Sequence, residues 1–202
     1  MNRRTKYDVR FLTQLSLLVA IEVVMKTIGL GSVPVGPLYM SFLTVPIAVG
    51  AIALGPLASM ILGGVFGFVS FLDAIKGASI MTSNLLAVSP FHTFVLCFGT
   101  RVLMGACVGL VYQGMKRICK KSAVNDFVTS LCAPLLNTLF FMGYIVLAFY
   151  QTEYIQSLVS AKGAGNPLMF VVLLVGFQGV VEAIVCSIAG TAVAGGVKKA
   201  LR

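Results

Sequence analysis

The 202-residue chain has no tryptophan, a single histidine and six acidic residues against fifteen basic ones, and only 10% of its side chains are charged. Each scarcity removes a class of function. A metal centre needs clustered His, Asp, Glu or Cys ligands, and no such cluster is visible along the chain. Serine hydrolysis inside a membrane needs a buried Ser with its base, but the lone His92 sits at the edge of an apolar run and no GxSG occurs. There is no Walker A segment, so the chain is not expected to hydrolyse ATP itself. The five cysteines form no CxxC pair. An odd, scattered set argues against both a disulfide framework and zinc, and buried small hydrophobes is the plainer reading. With no Trp and six Tyr, a flat aromatic ligand would find few stacking partners.

What is abundant is apolar surface. Hydrophobic residues make up 58% of the chain and mean hydropathy is +1.00. A soluble domain of this size has too little interior for that load, so lipid is expected to solvate much of it. The formal charge of +9 does not point to nucleic acid, because the basic residues cluster in short loops beside apolar runs. The first run is span-length and lacks a small-residue cleavage site, so it is read as a retained helix rather than a signal peptide.

Six spans are predicted, at 11–30, 41–54, 57–73, 91–114, 124–150 and 167–197. The expected fold is an all-α membrane protein forming one integral domain. Only Gly55-Pro56 separates the second span from the third, where proline either breaks a helix or kinks a longer one. With six spans, eleven basic residues (Arg3, Arg4, Lys6, Arg10, Lys116, Arg117, Lys120, Lys121, Lys198, Lys199, Arg202) fall on one side, and Lys76 and Lys162 on the other. The positive-inside rule then makes both termini cytoplasmic. The outer connections 74–90 and 151–166 read as polar loops that could cover an outward-opening site. No internal repeat of the secondary-transporter kind is present.

A few polar residues lie where lipid-spanning helices should be apolar. A charge at membrane depth costs a few kcal/mol on the mildest insertion scale, so it faces a partner, a cavity or a ligand. Arg101 lies roughly 15 Å into its run, near the midplane. Its planar fork suits a carboxylate or phosphate. Asn137 has a similar depth, and Gln178 and Glu182 lie one turn apart on the last helix. Together they would form a polar pocket in an apolar bundle. The alternative is an internal Arg101–Glu182 ion pair. Glu22 and Lys26, spaced i,i+4 with Glu first, suit an intrahelical pair. Tyr39, Phe66, Phe68 and Phe71 could line the outer end of a cavity. Small residues four apart (Ser16 with Ala20, Gly63 with Gly67, Gly105 with Gly109) allow helices to approach closely, either within the bundle or onto another subunit.

These segments resemble the substrate-binding S components of energy-coupling factor (ECF) vitamin transporters. The likeness rests on VPIAVGAIALGP at 45–56, GGVFGFVSF at 63–71, NTLFFMG at 137–143 and VVEAIV at 180–185, and within the family it is most similar to the pantothenate type. The resemblance implies a non-catalytic vitamin-binding subunit with an S-component-like bundle in a bacterial cell membrane. Its partners would be a transmembrane coupling subunit and two ATPases, with no cofactor of its own. It places Arg101, Asn137, Gln178, Glu182, Phe68 and Tyr39 at the substrate, and Ser16, Ala20, Gly63 and Gly67 at the docking face. The family's AxxxA appears here as Ser16-xxx-Ala20, and Gln178 stands where Asn is expected. Folate, riboflavin or another vitamin is the alternative cargo, and a self-sufficient small oligomeric transporter the alternative class.

Overall fold

Gly55 and Pro56 break the chain rather than kink it. Helix α2 (Thr44–Ala53) ends just before Gly55, which takes φ 98°, and Pro56 opens helix α3 (Pro56–Ile75). Positive φ costs glycine nothing, and proline at the first helical position gives up an N–H that has no partner there anyway.

The computed structural model describes residues 3–30, 33–35 and 38–200. Helix α1 (Arg3–Thr27) leads into an antiparallel hairpin of β1 (Val33–Val35) and β2 (Leu38–Met40), with Val33 opposite Met40. After α2 and α3 come α4 (Ile80–Val88) and α5 (Pro90–Phe94). A π-helical turn (Val95–Gly99) joins α5 to α6 (Thr100–Ile118), making one continuous helix. Helix α7 (Ser122–Phe149), the short α8 (Glu153–Ala161) and α9 (Pro167–Ala200) complete the chain.

Every predicted span coincides with a helix, but three expectations change. The connections 74–90 and 151–166 are mostly helical: α4 and α8 occupy them. Each buries an apolar edge in a core shared with α7 and α9, Met81 and Leu85 from α4 and Ile155 and Val159 from α8, against Phe141, Phe149 and Phe170. Each such side chain contributes about 1.5–3 kcal/mol. The expected all-α fold also gains the small hairpin before α2. Finally, four helices among the described residues are long and apolar enough to cross a membrane: Pro56–Ile75, Pro90–Ile118, Ser122–Phe149 and Pro167–Lys199. Helix α2, with 10 residues, reaches only about 15 Å, and α1 carries a polar first third.

The four long helices bury less than half of their most apolar windows inside the chain. Leu147, Phe177 and Leu168 lie fully on the outside. A surface this apolar is suited to hydrocarbon.

Helices α3 and α6 run antiparallel in very close contact. A Cβ on Gly67 would strike the backbone at Cys97 and Phe98, and one on Gly63 the Arg101 carbonyl; one on Gly105 would strike Ser59, and one on Gly109 Pro56. The Ser59 hydroxyl donates to the Gly105 carbonyl at 2.7 Å across the same seam. Gly63 and Gly67 are therefore buried within the chain, which corrects their expected place on an outward docking face. Ser16 and Ala20 remain exposed on α1.

Candidate functional site

Arg101 is the second residue after the π turn. The Thr100 hydroxyl donates back to the Leu96 carbonyl at 2.5 Å, and Arg101 Nη1 donates to Thr100 Oγ1 at 3.2 Å. The guanidinium carbon lies 4.8 Å from the Phe66 ring centroid and 4.1 Å from that of Phe141. Two aromatic faces hold the cation without neutralising it, each contributing about 0.5–2 kcal/mol.

Arg101, Asn137, Gln178 and Glu182 line one cavity of about 330 Å³. All four are at least nine-tenths buried. Among the described residues the ion pairs are Lys26–Asp73 and Lys198–Asp126, so Arg101 and Glu182 share the cavity without forming one. Arg101 Nε, Asn137 Oδ1, Gln178 Oε1 and Glu182 Oε1 are buried with no hydrogen-bond partner. The Ser41 backbone amide interacts with the Glu182 carboxylate. Buried polar groups are normally paired, so four orphans around one void mark a place built for something else to complete.

The helices explain the convergence. Pro134 inside α7 has no N–H to give to the preceding turn, and Asn137 follows one turn later. Gln178 and Glu182, four apart, lie on one face of α9. The cavity extends past Thr82 and Ser70 to Ser79 and Gly29, and the Lys26–Asp73 pair stands at that end. This pair replaces the expected Glu22–Lys26 contact: Lys26 reaches across to α3. Glu22 is buried on α1, away from the cavity lining, and both its carboxylate oxygens lack hydrogen-bond partners.

Two other expectations change. Phe68 is 54% exposed and lines a shallow apolar depression with Leu57, Ile61 and Val102 on the outside of the bundle. Two residues along a helix is a rotation of roughly 200°, so Phe66 faces Arg101 and Phe68 faces away. Tyr39 lies on β2, and its side chain is outside the described residues. Phe141, Thr100, Thr82 and Asp73 belong to the site or its rim and carry no sequence signal beyond their spacing. His92 is outside it, with Nδ1 2.9 Å from the Tyr144 hydroxyl.

Among the described residues no group of His, Cys, Asp and Glu could hold a metal ion. No curated protein matches the chain. A family model described as "ECF transporter, substrate-specific component" matches residues 10–193.

Proposed function

Since the chain belongs to the family of ECF transporter substrate-specific components, we propose that it captures a small carboxylated vitamin, with pantothenate the first candidate, and hands it to a separate energised module. The observation that carries this is Arg101: a permanent cation, buried, flanked by Phe66 and Phe141, without a carboxylate partner and open to a cavity. Its volume of about 330 Å³ lies at the small end of ligand pockets. A carboxylate against Arg101 would form a charge-assisted bond in a water-poor site. Asn137, Gln178 and Glu182 would face the rest of the molecule.

In this reading the chain crosses a bacterial cell membrane six times, with α1 and the short α2 completing the count and both termini cytoplasmic. The exposed face with Ser16 and Ala20 on α1 docks onto the transmembrane coupling subunit. Two ATPase subunits supply the energy, and the chain itself has no catalytic residue and no cofactor. Equilibrium binding of radiolabelled pantothenate to the purified, detergent-solubilised protein tests the cargo. Saturable binding is expected. Its absence, beside tight binding of another vitamin, would refute the assignment.

A further inference from the structure

Resting on the reading of this cavity as a vitamin site, we infer that its ligand is an acid bearing several hydrogen-bond donors remote from the carboxylate, and that Glu182 is the residue that selects for them. The buried, unpartnered atoms on the cavity wall are unequal in kind. Arg101 Nε is a donor, whereas Asn137 Oδ1, Gln178 Oε1 and Glu182 Oε1 are acceptors. A ligand that offered only a carboxylate would satisfy the first and leave the other three dry. Each buried acceptor left without a partner keeps its full desolvation penalty.

Glu182 is the sharpest of the three. Its unpartnered Oε1 is a carboxyl oxygen with lone pairs free to accept a ligand O–H or N–H. The Ser41 amide attends to it from the protein side, while Oε1 is left bare and lines the void. Gln178 stands one turn earlier on the same helix, so the two oxygens form an acceptor edge on the α9 wall. Charge points the same way. Lys26 and Asp73 pair with each other, so the charge that an acid meets inside the cavity is that of Arg101, with the Glu182 carboxyl on the same wall. An acid gains from Arg101 and is opposed by Glu182 unless an O–H or N–H is interposed. The ligand class is therefore a monocarboxylic acid with at least two hydroxyl or amide-type donors, spanning the gap between Arg101 and Glu182.

The test uses four monocarboxylates that Arg101 alone would not separate: nicotinate and lipoate, which have no other donor, biotin, with its ureido N–H groups, and pantothenate, with two hydroxyls and an amide N–H. The purified protein is incubated with an equimolar mixture, washed, and the retained molecules are read by mass. Retention of pantothenate over nicotinate and lipoate is expected. Retention of biotin instead would uphold the donor rule and overturn the pantothenate assignment. Retention of nicotinate or lipoate at an equal or higher level would overturn the donor rule and leave the acid-binding reading standing. No retention at all would overturn both. In the same assay Glu182→Leu should cut the preference for donor-bearing acids by about tenfold, whereas Glu182→Gln, which keeps an acceptor oxygen, should hold most of it. An equal loss for all four acids in folded Glu182→Leu protein would make the residue structural and sink the assignment of selectivity.

Discussion

Two regions of this bundle bury charge and handle it in opposite ways. Near the end of α9, Lys198 meets Asp126 and the Ser122 hydroxyl, and stands 5.3 Å from the Tyr112 ring centroid. That cation is met by protein on several sides, and it ties α9 to α6 and α7. In the cavity, roughly 24 Å back along α9 at its usual rise, Arg101 and Glu182 carry the same kinds of charge and leave each other unpaired. Both arrangements carry a desolvation cost. The first recovers it within the fold, and the second leaves the recovery to a ligand. A buried charge is thus informative about function only once its partners are counted.

Several substitutions would break or sharpen this contrast. The largest effect is expected from Gly63→Val, where the new side chain meets the Arg101 backbone: a loss of about 3 kcal/mol or more, seen as failure to recover monodisperse protein. Ser16→Leu on the exposed face should leave stability intact and reduce co-purification with a coupling subunit. Asp126→Ala should lower thermal stability by about 1.5–3 kcal/mol in a detergent melt, with ligand affinity unchanged. Arg101→Ala should do the reverse, weakening binding at least tenfold, or about 1.4 kcal/mol, with the melting temperature held or raised. Unchanged affinity in the folded variant would place Arg101 with Lys198 as a structural charge. The last contrast separates two aromatics: Phe141→Ala should cost about two- to thirtyfold in affinity, the range that about 0.5–2 kcal/mol of cation–π contact gives, and Phe68→Ala should cost nothing measurable.

The sequence revealed depth better than direction. Hydropathy located the helices, Gly55-Pro56 marked the break, and counting residues along each run put Arg101, Asn137, Gln178 and Glu182 in a common band, which is where the cavity lies. Direction was hidden because α3 is apolar nearly all round: lipid and protein interior ask for the same residues. Hence Phe68 was expected inside and is outside, and Gly63 and Gly67, which suited either packing within the bundle or docking onto another subunit, are in a seam. Helices α4 and α8 were missed because each is only nine residues long and is flanked by Ser, Asn and Gly that read as loop, although Ile155 and Val159, one turn apart, do mark an apolar edge on α8. Lys26 illustrates a third limit. A good partner four residues away predicts a local pair, but a carboxylate from another helix can win when the fold brings it close.

The five residues from Val95 to Gly99 set the azimuth of all that follows. A π turn holds about one more residue than an α turn, and each residue advances a helix by roughly 100°. Removing a single residue from this stretch would therefore swing the whole of Thr100–Ile118 by more than a quarter revolution. The guanidinium would leave the void for the hydrocarbon, and Gly105 and Gly109 would lose their register with Ser59 and Pro56. One local irregularity thus phases both the seam and the site, and neither can be re-aimed without the other.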